Sequence, residues 1–199
     1  CSPNLALMWQ RAYNRYKKPF DGKPEFDEWF KTFTPDGKPY EAGDIIKLPN
    51  HAKTLEAISE TGADAFYSGE IARKIDEDSR KFGGYLRYED LAKFEAKWVE
   101  PIKVNYRGYE ICEIPPNGQG IVALMALNIL KEFEFTEKDC VETYHKQLEA
   151  IKMAFADAFH YVTDPDHMEV DYNALIAPEY GAERAKEMGE TAKVYTHSI

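Results

Sequence analysis

The sequence lacks several patterns that would assign it to a common class. Its three cysteines, Cys1, Cys112 and Cys140, are odd in number, and no two are spaced as in a metal-binding knuckle. No apolar run approaches the ~20 residues needed to span a bilayer, and no signal peptide opens the chain. There is no Gly-x-Ser-x-Gly elbow, Walker loop or Rossmann glycine pattern. These absences argue against a zinc knuckle, a membrane-spanning chain, a serine hydrolase with that elbow and a nucleotide-binding fold.

Positive charge is also scarce. The 25 Lys and Arg residues are outnumbered by 35 Asp and Glu residues, and the net charge is −10. Nucleic acid and anionic membranes repel a chain this acidic, so we expect neither as a partner. Hydrophobic residues make up 44% of the sequence, which is ample for a core, and 199 residues suit one domain or part of a larger one.

Metal and cofactor sites find little support in the sequence. His145 and Glu149 are four residues apart on one predicted helix face and offer two metal ligands, but no third ligand is evident. We therefore expect no metal and no cofactor. Free cysteines favour a reducing compartment such as the cytoplasm.

The most informative stretch covers residues 98–131. Period-two alternation predicts a strand with one buried face, formed by Ile102, Val104 and Tyr106. Arg107-Gly108 predicts a tight turn, because glycine takes positive φ without strain. A second strand then returns as far as Pro115-Pro116, which has no backbone N–H to give to a ladder. The sequence thus predicts one antiparallel hairpin over residues 98–116, followed by an apolar helix.

The loop before that helix is the one candidate binding site that the residues themselves suggest. It consists of Asn117, Gly118, Gln119 and Gly120. Glycines permit close backbone approach and leave amides free at a helix N-terminus, where an anion or a polar substrate group binds. A tight strand-to-helix connection without a ligand explains the same residues, and a lone glycine-rich loop does not decide between the two.

The rest of the chain is predicted to be helical, which gives an α+β fold that is mostly helical with one antiparallel hairpin. Residues 1–49 form an entry segment rich in aromatics, proline and glycine, whereas residues 50–97 and 121–189 are helical. The longest helix covers about residues 141–162, and a single apolar stripe predicts that it packs along its length. The stripe contains Tyr144, Leu148, Ile151, Phe155, Phe159 and Val162.

The segment YRGYEICEIPPNGQGIVALMALNIL, which begins at Tyr106, resembles part of the large subunit of the γ-glutamyltransferase (γ-glutamyltranspeptidase) family. The family pattern is YRG, a strand, two or three prolines, a small-residue loop and a helix ending near LNIL. Other family motifs stand in the same order, namely AFY at 65–67, GEIA at 69–72, GG at 83–84 with EDL at 89–91, and EAIKMAFAD at 149–157. The likeness extends from about residue 43 to about residue 184.

The resemblance implies that the chain is a fragment of an N-terminal-nucleophile hydrolase with a four-layer αββα sandwich. Such enzymes are made as one precursor that cuts itself, and the new N-terminal threonine of the small subunit attacks a γ-glutamyl amide such as that of glutathione. Thr191 and Thr196 lack the strand and the glycine-rich sequence that follow this threonine in the family. The arginine that grips the α-carboxylate of the substrate in family members lies in a stretch before Cys1.

These comparisons imply the C-terminal half of a large subunit, with no catalytic residue in this chain and no activity of its own. Its partners would be the small subunit of the same precursor and a small γ-glutamyl or acyl-amide substrate. A fragment of a larger core should also expose an apolar patch and dimerise or aggregate through it. Many family members are exported, so the compartment stays open.

Two positions depart from the best-known members of the family. The loop at 117–120 stands where those members have Ser-Ser-Gly-Gly, and Ala158 stands where they often have arginine. Both features resemble the acylase-like branch, so an amide of the cephalosporin or glutaryl type is the alternative substrate. A non-catalytic helical scaffold or interaction module, which kept the fold and lost the nucleophile, is the alternative from another class. A threonine followed by a strand, downstream of Ile199, would distinguish an enzyme from a scaffold.

Overall fold

Helices form most of the chain, and the computed structural model describes all of residues 1–199. The chain divides into two units, Cys1–Ala96 and Lys97–Ile199. Its only sheet has two strands, which are antiparallel. The predicted α+β class, mostly helical with one antiparallel hairpin, is confirmed. None of the helices combines the length and the apolar character that crossing a membrane requires.

The first unit is built from helices alone. Ser2 caps its first helix, because Ser2 Oγ accepts a hydrogen bond from the Leu5 N–H at 3.3 Å. Single 3₁₀ turns at Pro24–Phe26 and Pro35–Gly37 flank the second helix. The helices are α1 (Pro3–Phe20), α2 (Asp27–Phe33), α3 (Pro49–Thr61), α4 (Asp64–Tyr67), α5 (Glu70–Lys81) and α6 (Tyr88–Ala92).

Aromatic side chains hold α1 and α2 together. Trp29 of α2 meets Tyr16 of α1 edge-on, with ring centroids 5.2 Å apart. Trp9 of α1 packs edge-on against Tyr40 in the same way, at 5.1 Å. The aromatic residues of the entry segment thus anchor the helices of this unit to one another, although few of its residues are fully buried.

The second unit contains the hairpin and four helices. Its elements are β1 (Ile102–Tyr106), β2 (Tyr109–Glu113), α7 (Gly120–Leu130), α8 (Val141–Tyr161), α9 (Tyr172–Leu175) and α10 (Pro178–Lys186). The hairpin, α8 and α10 all pack against α7, which is therefore the centre of the unit. A 3₁₀ turn at Pro165–His167 follows α8.

The hairpin and α7 form as the sequence predicts. β1 pairs with β2 in an antiparallel register that places Tyr106 opposite Tyr109. Arg107 and Gly108 have φ of 52° and 89°, as a two-residue hairpin turn of this hand requires. Eight of the 11 residues of α7 are buried. A helix that is covered on nearly all sides needs apolar side chains all round, which explains why α7 has almost no polar face.

The prediction that the apolar stripe of α8 packs inward is wrong for half of its members. Tyr144, Leu148 and Phe159 are 49%, 60% and 79% exposed. Ile151, Phe155 and Val162 are half-buried. Half of the stripe is therefore exposed and the other half packs at the edge of the core, whereas the fully buried residues of α8 lie on another face.

Small residues determine which face of α8 turns inward. Ala150, Ala154 and Ala158 recur every four residues and are all buried. Short side chains at a helix contact let the two helix axes approach closely, so this face suits the contact with α7. Glu149 and Asp157 lie on the same face, where ion pairs compensate their charges. The large apolar side chains are consequently left on the outside.

The exposed stripe makes self-association the expected behaviour of the isolated chain. We expect light scattering to show dimers or larger species whose fraction rises with concentration, because apolar surface leaves water when two stripes meet. The double substitution Leu148→Lys with Phe159→Lys should shift the population to monomer. Ile45→Lys replaces an apolar residue that is 78% exposed outside the stripe, and it should change nothing. A wild-type chain that stays monomeric at every concentration would contradict the prediction.

Candidate functional site

The predicted loop at 117–120 lies between the end of β2 and the start of α7. Pro116, immediately before the loop, is buried, whereas Asn117 and Gln119 are exposed. α7 begins at Gly120, and no side chain caps it. The loop therefore presents two amide side chains and the uncapped amino end of a buried helix at the surface of the second unit. Whether a substrate binds there stays a prediction.

Glu113, the last residue of β2, approaches the same helix end. A Cβ added to Gly120 would lie 2.7 Å from Glu113 Cδ and 3.0 Å from Glu113 Cγ. Glycine at position 120 thus makes room for the Glu113 side chain, and the helix dipole favours a carboxylate at this end of a helix. The Glu113 carboxylate would repel an anionic ligand group at this helix end, but it would not repel a neutral or cationic one. The geometry favours a neutral or cationic ligand group over the anion that a bare helix N-terminus attracts.

A buried ion pair joins α8 to α10. Arg184 Nε lies 3.2 Å from Asp157 Oδ2, and each side chain is 1% exposed. The guanidinium also donates to both carboxylate oxygens of Glu187 at 2.8 Å. Burial raises the pKa of Asp157, whereas the nearby Tyr180 and Arg184 oppose that shift. Either charge would be costly to bury alone, so the pair ties the two helices into one arrangement.

Glu149 is the second buried carboxylate of α8. It is 2% exposed and accepts hydrogen bonds from Lys152 Nζ at 2.6 Å and from Tyr195 Oη at 2.7 Å. The backbone N–H of Lys193 donates to the same carboxylate at 3.4 Å. Burial works to raise the pKa of Glu149, but these donors outweigh burial and hold that pKa below its usual value. The carboxylate is therefore ionised at neutral pH and binds the segment that follows α10.

The residues do not form a metal-binding cluster. No three or more His, Cys, Asp and Glu side chains are placed to hold an ion. His145, which the sequence offers as a ligand together with Glu149, instead contacts the Gly189 carbonyl at 2.8 Å through Nε2. A surface cavity of about 720 Å³ lies beside His145, and its lining does not include the loop at 117–120.

Two threonines lie near the end of the chain. Thr191 and Thr196 are exposed and lie outside every helix and strand. The Thr196 carbonyl accepts a hydrogen bond from Arg184 Nη2 at 2.9 Å, so its backbone has a structural contact.

A model of the gamma-glutamyltranspeptidase family matches residues 1–198. The chain belongs to the gamma-glutamyltranspeptidase family. The membership that the motifs around the hairpin and α7 predict is thereby confirmed, and the match extends beyond the likeness seen in the sequence to nearly the whole chain.

The relatives of the chain in this family include both glutathione hydrolases and acylases. The chain is similar to the glutathione hydrolase proenzyme of Escherichia coli (strain K12), with 38% identity over 151 residues that cover 74% of this chain and 26% of that protein. It is also similar to the crystal structure of cephalosporin acylase from Bacillus halodurans, with a TM-score of 0.91 and 48% identity over 98% of this chain and 37% of that one. Helicobacter pylori gamma-glutamyltranspeptidase matches with a TM-score of 0.84 and 27% identity over 98% of this chain and 56% of that one.

The chain spans less than a third of the length of the curated relatives that it matches.

The sequence does not reveal that Asp157 and Arg184 form a buried pair. Asp157 was visible only as part of a family motif, and Arg184 lies 27 residues further along, with no spacing rule that connects them. The spacing of Glu149 and Lys152, three residues apart on a helix, indicates that the two can pair. The contacts of Glu149 with Lys193 and Tyr195 depend on how the end of the chain folds back.

Proposed function

We propose that the protein to which this chain belongs is a self-processing amide hydrolase or acyltransferase that cleaves γ-glutamyl amides such as glutathione. The match of the family model to residues 1–198 carries this proposal. The similarity to a glutathione hydrolase proenzyme supports the substrate class and processing from a precursor. The chain is the C-terminal part of the large subunit, and its protein partner is the small subunit of the same precursor.

The catalytic nucleophile is a threonine outside this chain. In the precursor, the threonine hydroxyl oxygen adds to the carbonyl carbon of the preceding residue, and the C–N bond breaks as the nitrogen takes the hydroxyl proton. Water then hydrolyses the resulting ester, which leaves a carboxylate on the large subunit and a free amine on the threonine. The exposed positions of Thr191 and Thr196 outside any strand support a nucleophile elsewhere. The 199-residue chain alone is therefore inactive.

In the processed enzyme, the same threonine attacks the substrate. Its hydroxyl oxygen adds to the γ-glutamyl carbonyl while its own amine accepts the hydroxyl proton, and backbone amides stabilise the oxyanion. The amine leaving group departs with that proton, and the acyl group passes from the threonine oxygen to water or to an amino acid. No metal or cofactor takes part in these steps.

The loop at 117–120 contributes the lining of the substrate cleft. The exposed amide of Asn117 and the uncapped end of α7 support this role. Asn117→Ala should raise KM about tenfold if one substrate hydrogen bond is lost, with kcat nearly unchanged. Thr136→Ala changes an exposed residue outside the loop and serves as the matched control. Equal KM values for both variants and the wild type would remove the loop from the site.

An acylase is the second candidate function. The 48% identity to a cephalosporin acylase, compared with 27% to a gamma-glutamyltranspeptidase, favours it. A glutaryl group is a γ-glutamyl group without the α-ammonium, so the two functions differ in whether the site binds that cation. The reaction on the amide carbonyl is the same in both.

The deciding experiment compares two chromogenic amides on the complete processed enzyme. We expect release of p-nitroaniline from γ-glutamyl-p-nitroanilide with a higher kcat/KM than from glutaryl-p-nitroanilide. The reverse order would establish the acylase function. Release from neither amide, by a protein that also stays uncut, would leave the non-catalytic scaffold. The 199-residue chain assayed alone is the negative control.

A further inference from the structure

Residues 189–199, here called the tail, fold back along α8 after α10 ends. The Gly189 carbonyl contacts His145, and Tyr195 contacts Glu149 one turn further along the helix. The Ile199 carbonyl accepts a hydrogen bond from the Tyr161 hydroxyl at the other end of α8. The order of these contacts along the tail follows their order along the helix, so the tail runs in the same direction as α8 over most of its length.

Alternate residues of the tail face α8. Tyr195 contacts Glu149, and the His197 ring stacks on the His160 ring with centroids 3.5 Å apart and an angle of 1° between the planes. The residues on either side of Tyr195 turn outward, since Val194 is 93% exposed and Thr196 is also exposed. This period of two is that of an extended strand, in which a slip of one residue would turn every inward side chain outward. The contacts therefore fix a single register of the tail on the helix.

Two buried charges maintain that register. The Glu149 carboxylate accepts hydrogen bonds from Tyr195 Oη and from the Lys193 N–H. Arg184 donates from Nη2 to the Thr196 carbonyl at 2.9 Å and more weakly to the Met153 carbonyl of α8 at 3.4 Å. Burying ionised groups is costly unless they are paired and hydrogen-bonded. Both charges form part of their hydrogen bonds with the backbone of the tail. A tail that lay loosely on the surface would not supply these partners.

We propose that Glu149 and Arg184 are positioning residues for self-cleavage of the precursor. This inference rests on the proposed function, in which the catalytic threonine follows this chain. Held in one register, the tail delivers the peptide bond that precedes the threonine to a fixed place. Intramolecular attack depends steeply on geometry, since a displacement of about 1 Å can cost about 100-fold in rate. Once the bond is cut, the tail no longer connects to the nucleophile, so its register stops mattering for turnover.

The test uses the complete precursor and two variants that weaken tail contacts; Glu149→Gln also loses the ion pair with Lys152 of α8, whereas Tyr195→Phe changes the tail contact alone. Glu149→Gln keeps the size of the side chain and removes its charge, and Tyr195→Phe removes one hydroxyl from a half-buried residue. We expect both to slow self-cleavage about 10- to 100-fold in a time course after synthesis. The processed enzyme eventually obtained from each variant should keep kcat/KM within about twofold of wild type.

The matched control is Glu142→Gln. This substitution removes an ion pair with Lys146 on the same helix, and the Glu142 side chain is 73% exposed and accepts its hydrogen bond from Lys146, not from the tail. Hydrogen exchange at the Lys193 amide provides a readout of the register itself, and it should accelerate in Glu149→Gln and not in the control. Loss of turnover in proportion to cleavage would show a merely structural role and overturn the inference.

Failure of the inference is distinguishable from failure of the proposed function. If the wild-type precursor does not cut itself at a threonine, the proposed function fails and the inference falls with it. If the wild type cuts itself and both variants do so at the same rate, the inference alone is wrong. Slower cleavage in Tyr195→Phe with unchanged turnover supports the inference even where Glu149→Gln fails to fold.

Discussion

Arg184→Met is expected to lower the free energy of unfolding of the chain by about 3–5 kcal/mol, because it leaves the Asp157 carboxylate buried without its partner. Arg184 and Asp157 are each 1% exposed, so water does not reach the orphaned charge in the folded state. The substitution also removes the donors to Glu187 and Thr196. Urea unfolding, followed by circular dichroism, measures the loss as a lower midpoint.

Two comparisons isolate the buried charge as the cause of that loss. Lys186→Met breaks an ion pair with Glu183 whose side chains are 69% and 70% exposed, and it should cost less than about 1 kcal/mol. Adding Asp157→Leu to Arg184→Met removes the orphaned carboxylate and should recover part of the lost stability. An Arg184→Met variant no less stable than Lys186→Met would show that the buried pair has no role in holding α8 to α10.

Gly181→Ala should destabilise the chain by about 1–3 kcal/mol, because α10 lies too close to α7 for a side chain at this position. A Cβ at position 181 would lie 2.7 Å from Asn128 Cβ and 2.9 Å from its carbonyl carbon. The obstacle includes backbone of the most buried helix, which cannot move aside as the end of a flexible side chain can. Alanine is otherwise the better helix former, so its intrinsic preference works against the expected loss.

Gly118→Ala is the control for that prediction. Position 118 has nothing within 4 Å of the added Cβ, and the substitution should change the midpoint of urea unfolding little. Thermal unfolding gives a second measurement of the same difference. If Gly181→Ala is as stable as Gly118→Ala, α7 and α10 lie further apart than the 2.7 Å between the added Cβ and Asn128 Cβ implies.

The local parts of the fold were the ones that the sequence predicted. The hairpin turn depends on two neighbouring residues, Arg107 and Gly108, and both take the expected positive φ. β2 ends at Glu113, two residues before Pro115 removes a backbone donor, and α7 begins at Gly120 after the loop. Such features depend on interactions between near neighbours in the sequence, so a single sequence contains the information that they need.

The inward face of α8 was predicted incorrectly because hydrophobicity alone does not decide which face packs inward. Leu148 and Phe159 are larger and more apolar than Ala150 and Ala154, yet the alanines are buried and the larger residues are exposed. The chain spans less than a third of the length of its curated relatives, so its sequence contains only part of the surface against which a helix of the whole protein can pack. The apolar pattern predicts burial of Tyr144, Leu148 and Phe159, but all three are exposed in this chain.

The contacts around the candidate sites required knowledge of the tertiary fold. Glu113 lies seven residues before Gly120, and their close approach depends on how the double proline turns the chain. Glu149 and Tyr195 are 46 residues apart, and no motif joins them. The sequence located the loop at 117–120 as a candidate, whereas the anchoring of the tail by Glu149 emerges only from the folded chain.

The chain therefore contributes position more than chemistry to the proposed enzyme. Its buried helix α7 supports the loop at 117–120, and its buried charges hold the tail in register. In the proposed enzyme, both features would place other groups, namely a substrate and a nucleophile that the chain does not itself contain.

The intact mass of the protein made from the complete reading frame tests the central claim most directly. We predict two chains whose masses sum to that of the precursor plus one water, with the smaller chain beginning at a threonine that follows Ile199. That result would make this chain part of the large subunit of a self-processing enzyme. A single uncut chain, or a reading frame without such a threonine, would contradict the claim and leave a scaffold of the same fold.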